Sequence, residues 1–253
     1  MISFKSVFKT LSGKEVLKNI SFEVNRGDIH TILGPTGSGK SVILKHIIRL
    51  LEADNGLITY DGKDISNFSG VELEKYRADF GYLFQSGALI AWLTVGENVA
   101  LPLIEKTKMS ISQINKRVSD VLNLVELTGC EDKMPDELSG GMLKRAALAR
   151  AIINNPKVIL LDEPTSGLDP IMSRKIDNLI KRLHSISDIT IVMVTHDLIS
   201  AFSVSDRITM ITDGAIRFHG TVKDFCESRD EYVMEFIKSQ TPRHMDNTIN
   251  KEQ

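Results

Sequence analysis

The feature that most restricts the fold of this chain is a glycine-rich segment, Gly34-Pro35-Thr36-Gly37-Ser38-Gly39-Lys40-Ser41. It matches the pattern GxxxxGK[ST], and it lies between a β-rich run at residues 28–33 and a run with helical spacing at residues 40–51. Glycines let a backbone wrap around a phosphate, and the N–H groups at the start of a helix attract the anion. The segment predicts a phosphate-binding loop in which Lys40 reaches the β- and γ-phosphates and Ser41 binds Mg²⁺.

Strands alternate with helices on both sides of this loop, which indicates an α/β fold with a parallel sheet. Strands are predicted at residues 19–24, 28–33, 80–84, 158–161 and 189–194, with a hairpin at 57–65 around Asp61-Gly62. Helices are predicted at residues 40–51, 111–127 and 139–154, and from Pro170 onward with Asp169 as its cap. Gly129 is expected to end the second of these helices. Residues 1–240 are expected to form one domain, with residues 87–155 as an inserted helical lobe and 241–253 as a polar, mobile tail.

Composition excludes several classes of protein. The 253 residues are 42% hydrophobic and 25% charged, which rules out disordered and collagen-like chains. A net charge of −2 gives no overall basic field for nucleic acid. The two cysteines, Cys130 and Cys226, show no zinc or disulfide spacing, and we expect half-buried packing thiols in a reducing compartment. No signal peptide is predicted, and the longest apolar run, residues 88–93, is far shorter than the roughly 20 residues that span a bilayer.

A second chemical signal is the apolar strand at residues 158–161, which ends in Asp162 and Glu163. Beside a phosphate loop, Asp162 can bind the metal and Glu163 can orient and deprotonate a water for attack on the γ-phosphate. The alternative is a charged strand end that enters a loop.

Three weaker signals follow. Ser139-Gly140-Gly141 precedes a predicted helix, and its N–H groups would form a second anion site. Because the chain has two predicted anion sites and one phosphate loop, we expect two copies to form a dimer. The alternative is an ordinary glycine-permitted helix start. His196 ends a strand and Gln85 follows one, and each taken alone is more typical of a structural residue.

The order of these motifs resembles the ATP-binding cassette (ABC) ATPase family over about residues 1–240. The matching motifs are Walker A at 34–41, a Q-loop at Gln85, a signature at 138–142, Walker B at 158–162, Glu163, a D-loop at 166–169, and His196. The resemblance implies a P-loop NTPase with a RecA-like core, an antiparallel β subdomain and an inserted α-helical lobe.

The family also implies the roles of the site residues. Two copies would pair head to tail, with ATP between Walker A and the following Val42 of one copy and Ser139, Gly140 and Gly141 of the other. Ser41, Gln85 and Asp162 would hold Mg²⁺. Glu163, His196 and Lys40 would be catalytic, Glu163 polarising the water and His196 contacting the γ-phosphate. The helical lobe would dock on an integral-membrane permease and place the chain peripherally at the cytoplasmic face of the inner membrane.

The sequence departs from the family pattern at two places. Met142 replaces the usual fifth signature residue, glutamine, and residues 11–12 lack the usual adenine-stacking aromatic ring, Phe8 being the nearest. Base stacking is therefore weakened, and GTP is predicted to compete measurably with ATP.

Three stretches indicate which branch of the ABC ATPase family the chain resembles. Residues 84–89, 97–103 and 139–151 are similar to ATPases of MCE-type (Mla-like) systems, which move phospholipids between the two membranes of diderm bacteria. That branch implies an MCE-domain lipid-binding protein as a further partner and no nucleic acid. If these stretches are only lobe packing, the chain is the ATPase of an ABC importer for an amino acid, ion or peptide. A soluble ABC ATPase acting on DNA or ribosomes is disfavoured by the short helical insertion and the single Walker A. A regulator without turnover is disfavoured by the intact Lys40, Asp162, Glu163 and His196.

Overall fold

A computed structural model describes residues 1–187 and 189–240, which form two sheets and a set of helices. The strands are β1 Ile2–Leu11, β2 Lys14–Val24, β3 Ile29–Leu33, β4 Asn55–Tyr60, β5 Lys63–Asp64, β6 Phe80–Leu83, β7 Val158–Asp162, β8 Thr190–Thr195, β9 Arg207–Thr212 and β10 Ala215–Thr221. The α-helices are α1 Lys40–Ile47, α2 Gly70–Ala78, α3 Val95–Lys106, α4 Ile111–Leu124, α5 Gly140–Ile152, α6 Pro170–Ser187, α7 Leu198–Val204, α8 Val222–Cys226 and α9 Glu231–Gln240. The predicted tail, residues 241–253, lies outside the described residues.

The larger sheet has six strands in the order β10-β9-β3-β8-β7-β6. Neighbouring strands from β9 to β6 are parallel, and only β10 runs antiparallel at one edge. Every residue of β3, β7 and β8 is buried. A parallel sheet covered on both faces buries its strands along their whole length, so the predicted α/β class is confirmed.

The smaller sheet is antiparallel, with four strands in the order β2-β1-β4-β5. Tyr60 pairs with Lys63 around the predicted Asp61-Gly62 turn, whose residues have φ of 48° and 79°. Positive φ at both central positions is the geometry of the tight hairpin turn that this dipeptide favours, so the hairpin is confirmed.

Two helices end earlier than predicted. Helix α1 stops at Ile47 rather than near residue 51, because Arg49 is left-handed at φ 54° and Leu50 N–H turns back to the Lys45 carbonyl. Helix α4 stops at Leu124, and Gly129 does not end it. There Glu126 takes φ 61°, so a non-glycine residue forms the left-handed cap usually given to glycine.

The remaining predicted helix starts are confirmed. Ser139 caps α5, and its side chain accepts the Met142 N–H at 3.4 Å. Asp169 Oδ1 accepts the N–H groups of Ile171 and Met172 at 2.9 and 3.0 Å at the start of α6. The two cysteines are free: Cys130 is buried, but Cys226 is exposed, contrary to the expectation of two half-buried thiols.

Two apolar layers cover the larger sheet. Helices α3, α4, α5 and α6 pack together with one face, and the smaller sheet packs with α1 on the other. In the described residues, no helix is both long and apolar enough to cross a bilayer. The layers hold rigid strands whose carboxyl ends meet at one edge of the sheet.

Candidate functional site

The predicted site residues converge at the carboxyl edge of the six-stranded sheet. Gly34 directly follows β3, Glu163 follows β7 and His196 follows β8, while Gln85 lies just beyond β6. Ligands of open α/β sheets bind at this edge, because the loops there share one crevice. The sequence places these residues far apart, and the parallel register brings them together.

The phosphate loop is shaped by close backbone approach. Gly39 has φ of 101°, and a Cβ there would lie 3.0 Å from both the Val16 carbonyl oxygen and Leu17 Cδ2. A Cβ on Gly34 would lie 2.1 Å from the Ile211 carbonyl oxygen. The glycines therefore let the loop lie against β2 and β9, with its backbone turned toward the pocket.

Two side chains of the loop fit a bound phosphate. Lys40 is buried, and its ammonium donates to the carbonyl oxygens of Gly34 and Pro35 at 2.8 and 2.9 Å. Burial lowers the pKa of Lys40, and the nearby Glu163 carboxylate opposes this shift. Ser38 is also buried, and its Oγ has no hydrogen-bond partner among the described residues. Buried hydroxyls are normally hydrogen-bonded, so an oxygen of a bound phosphate would supply the partner that Ser38 lacks.

A cluster of oxygen atoms beside the loop fits Mg²⁺. Ser41 Oγ donates to Asp162 Oδ1 at 2.8 Å, and the Tyr82 hydroxyl donates to Asp162 Oδ2 at 3.4 Å. Burial raises the pKa of Asp162, while the Ser41 hydrogen bond lowers it. Hydroxyl and carboxylate oxygens are the ligands that Mg²⁺ prefers. Tyr82 was not predicted, because only the pairing of β6 with β7 brings it to Asp162.

Glu163 is held between two cationic or proton-bearing groups. Its backbone has φ of 49°, and its N–H donates to the Val194 carbonyl at 3.0 Å. One carboxylate oxygen lies 3.7 Å from Lys40 Nζ, and the other accepts from His196 Nδ1 at 2.9 Å. Because a carboxylate can only accept, Nδ1 carries the proton in this bond. The His196 side chain is 53% exposed, so it remains accessible from the pocket.

Lys144, which was not predicted, joins three of the predicted loops. Its buried ammonium donates to the backbone carbonyls of Gln85 and of Glu163, the latter at 3.1 Å, and to Ser166 Oγ at 3.4 Å. Burial lowers the pKa of Lys144, and the carboxylates of Glu163 and Asp162 oppose that shift. Helix α5 is therefore bonded directly to the loops that follow β6 and β7.

One pocket of about 230 Å³ contains most of the predicted residues. Among the described residues it is lined by Val16, Thr36, Gly37, Gly39, Lys40, Ser41, Val42, Gln85, Glu163 and His196. Val16 was not predicted, and it reaches the pocket because β2 packs against the loop. Phe8, the nearest ring in sequence, pairs with Asn55 on the other side of β1 and does not line the pocket.

The segment Ser139-Gly140-Gly141 lies outside this pocket. Ser139 and Gly140 are exposed, whereas Gly141 is buried, and a Cβ on Gly141 would lie 2.4 Å from Met172 Cε. The neighbouring Met142 packs against the core cluster formed by α3 to α6. Within one chain, the second predicted anion site is therefore separate from the first.

A phosphate loop, an acidic strand end and a glutamate at the carboxyl edge of a parallel sheet define a P-loop NTPase. The sequence matches the ABC transporter family over residues 17–166. It is 38% identical over 244 residues to the methionine import ATP-binding protein MetN 1 of Staphylococcus aureus strain USA300, covering 94% of this chain and 71% of that protein.

Two solved structures are also similar. The dimeric, post-hydrolysis structure of the ATP-binding cassette MJ0796 with ADP and Pi has a TM-score of 0.81 and 37% identity, covering 88% of this chain and 99% of that one. The structure of CbiO1 from Clostridium perfringens, part of the ABC transporter complex CbiONQ, has a TM-score of 0.83 and 28% identity, covering 98% of each chain.

The chain thus belongs to the ABC transporter ATP-binding family. It is an ATP-hydrolysing subunit of an ABC transporter, and it uses ATP with Mg²⁺.

Proposed function

We propose that the pocket at the carboxyl edge of the sheet hydrolyses ATP with Glu163 as the general base. The supporting observation is the position of the Glu163 carboxylate, with one oxygen 3.7 Å from Lys40 Nζ and the other 2.9 Å from His196 Nδ1. A base held at this point faces the γ-phosphate of a nucleotide whose phosphates lie in the loop.

The proposed step is an in-line attack of water on the γ-phosphorus. The water loses its proton to Glu163, and the bond from the γ-phosphorus to the bridging oxygen breaks to give ADP and phosphate. Lys40 contacts the phosphate oxygens, and His196 orients Glu163 and contacts the γ-phosphate. Ser41, Gln85 and Asp162 would hold Mg²⁺, which neutralises charge on the phosphates when bound.

We propose that two copies share each nucleotide. The exposed Ser139 and Gly140 lie at the N-terminus of α5, outside their own chain's pocket. In a head-to-tail pair, this segment of one copy would face the phosphate loop of the other and add N–H donors to the γ-phosphate. The similarity to the dimeric cassette MJ0796 supports this arrangement.

For the cargo, the comparisons favour an importer of an amino acid or another small solute. The curated relative reported above is a methionine import ATP-binding protein at 38% identity. An importer ATPase would serve an integral-membrane permease and lie peripherally at the cytoplasmic face of the membrane.

A second candidate cargo is phospholipid, and its support is the similarity of three stretches of the sequence to Mla-like ATPases. Residues 87–155 form the proposed helical lobe, and the Mla-like stretches 84–89 and 97–103 lie at its start, beside Trp92, which is 79% exposed. An exposed tryptophan next to α3 suits a permease contact. This candidate adds an MCE-domain lipid-binding protein as a partner at the inner membrane.

Glu163→Gln tests the proposed chemistry. The amide keeps the size of the side chain but cannot take a proton, so turnover is expected to fall at least about 100-fold, or about 2.7 kcal/mol in the barrier. ATP affinity should persist, and a dimer should accumulate with ATP on size-exclusion chromatography. Glu72→Gln, at an exposed site in α2, is the matched control. If the Glu163 variant retains more than about a tenth of the rate, its role as base is wrong.

Co-purification tests the cargo. The tagged chain is isolated from detergent-solubilised membranes of its native host, and its partners are identified by mass spectrometry. A permease with a solute-binding protein would support the importer. A permease with an MCE-domain protein and bound phospholipid would support the lipid candidate and overturn the importer.

A further inference from the structure

The last described residue of α9, Gln240, bonds to the backbone on both sides of Asp197. Its Oε1 accepts the Leu198 N–H at 2.8 Å, and its Nε2 donates to the His196 carbonyl oxygen at 2.9 Å. The planar side-chain amide thus pairs with the main chain as a neighbouring strand would, using one donor and one acceptor.

This segment carries the start of helix α7. Asp197 caps the helix by accepting the N–H groups of Ile199 and Ser200 at 2.9 and 3.3 Å. Leu198 N–H is among the first-turn donors that have no partner within the helix, and Gln240 supplies that partner. The amide therefore completes the cap, and it comes from a different helix.

The His196 ring depends on this backbone. Its side chain is 53% exposed, and its bond to the Glu163 carboxylate places the imidazole in the pocket. A half-exposed ring has few packing contacts to orient it, so the direction of its Cα–Cβ bond is set by the main chain. Gln240 bonds to the carbonyl of that same residue.

Helix α9 is itself anchored. Val233 is buried in a cluster with Leu198 and Ala201 of α7, and Phe236 and Ile237 pack against the same cluster. The amide of Gln240 is therefore held by a packed helix rather than by a free chain end.

We propose that Gln240 is a positioning residue for ATP hydrolysis, which orients His196 through its backbone and links the C-terminal helix to turnover. This inference rests on the proposed role of His196 at the γ-phosphate. It means that whatever displaces α9 slows hydrolysis without emptying the nucleotide pocket.

The test uses the full chain with Gln240→Ala and Gln240→Glu. The second variant keeps an acceptor for Leu198 N–H but loses the donor to His196. Both are expected to lower kcat about fivefold to tenfold, with ATP affinity changed less than about twofold. Ser239→Ala is the matched control, because the Ser239 hydroxyl, as far as the described residues show, donates to the Phe236 carbonyl within α9. Its kcat should equal that of the wild type.

A double-mutant cycle separates positioning from a general structural role. Adding Gln240→Ala to His196→Ala should cause little further loss if Gln240 acts through His196. An equal further loss, an unchanged kcat in both Gln240 variants, or a parallel loss of ATP affinity would overturn the inference. If His196→Ala alone keeps full turnover, the proposed role of His196 fails and the inference fails with it. If His196→Ala is inactive while both Gln240 variants keep wild-type kcat, only the inference fails.

Discussion

The phosphate loop and the Ser139 segment are both glycine-rich helix starts, but they differ in how far one chain completes them. In the phosphate loop, Lys40 and Ser41 are bonded to loop carbonyls and to Asp162, and the pocket walls come from β2 and from the loops after β6, β7 and β8. At the Ser139 segment, Ser139 and Gly140 are exposed and lie outside that pocket.

This difference indicates that nucleotide affinity and turnover depend on different parts of the surface. We expect the loop to bind a nucleotide in a single copy, because its backbone and Lys40 are already held in place. The exposed segment is expected to contribute only in the proposed head-to-tail pair, where the other copy would present a phosphate to it. Variants of the phosphate loop should therefore lose ATP affinity, whereas variants of the Ser139 segment should lose turnover.

Lys40→Ala should have the largest effect and should act on affinity. It removes the buried ammonium that we propose contacts the phosphates, so ATP binding is expected to weaken at least about 100-fold, or about 2.7 kcal/mol. Isothermal titration calorimetry measures this, with the exposed Lys14→Ala as control. Unchanged affinity would mean that the phosphate loop is wrongly assigned.

Ser139→Arg should act on turnover and leave single-copy binding alone. The new side chain would fill the surface that faces the second copy in the proposed pair, so ATPase activity is expected to fall about 50-fold to 100-fold while ATP affinity stays within about threefold. Ser110→Arg is the matched control, because Ser110 and Ser139 each accept a main-chain N–H at 3.4 Å as helix caps. If both variants lose activity equally, cap loss rather than the interface explains the effect.

Sequence alone could predict the motif residues because each acts within a local pattern. Lys40 and Ser41 belong to a loop that the spacing of its residues identifies directly, and Glu163 follows an apolar strand. Tyr82, Lys144 and Gln240 could not be predicted, because each reaches the site through the pairing or packing of distant elements. Their sequence neighbourhoods show only a strand or a helix.

The helix ends and the last elements of the chain also could not be predicted from the sequence alone. Glu126 takes a left-handed cap that its residue type does not favour, so the end of α4 was placed too late. No strand or helix is predicted after residue 194, so β9, β10 and α7 to α9 are absent from the prediction. Strand β9 is held by pairing with β3, β10 pairs with β9, and the three helices pack on a common apolar cluster.

The stability of the fold can be tested separately at His30, which lies at the junction of the two sheets, away from both loops. Burial lowers its pKa from 6.5 to about 3, with His219 and Arg207 contributing, and its Nε2 lies 2.8 Å from Thr209 Oγ1. The folded state favours the neutral ring. The contribution of His30 to the stability of the folded state is therefore complete above pH 6.5 and is lost as the pH falls toward 3.

At pH 5 the loss of stability is expected to be about 2 kcal/mol, or about 30-fold in the folding constant. Urea unfolding at pH 7.5 and pH 5 measures it. His30→Gln can keep a polar partner for Thr209 without titrating, so its stability should change less between the two pH values. An equal change in both proteins would assign the acid sensitivity to other groups.

Lys144→Met should lower kcat about tenfold with little change in ATP affinity. The variant keeps an unbranched apolar stem in the buried site but removes the donors to the Gln85 and Glu163 carbonyls, so the base is less well oriented. Lys144→Arg retains donors and is expected to recover part of the rate. Steady-state kinetics with a melting temperature for each variant separates misplacement from unfolding. Loss of affinity in step with kcat would mean that Lys144 supports the phosphate loop instead.

The smallest effect concerns the base of the nucleotide, where Val16 lines the pocket and Phe8 does not. An aliphatic side chain contacts either purine through dispersion, so GTP is expected to displace ATP within about tenfold of the concentration that ATP itself requires. Val16→Tyr would supply a ring for stacking, worth about 1–3 kcal/mol per base, and should tighten ATP and GTP alike. Competition binding with a fluorescent ATP analogue measures both nucleotides on both proteins. A strict preference of the wild type for ATP would show that polar groups near Val16 form hydrogen bonds with the edge of the purine. The pocket at the phosphate loop would then determine which nucleotide binds.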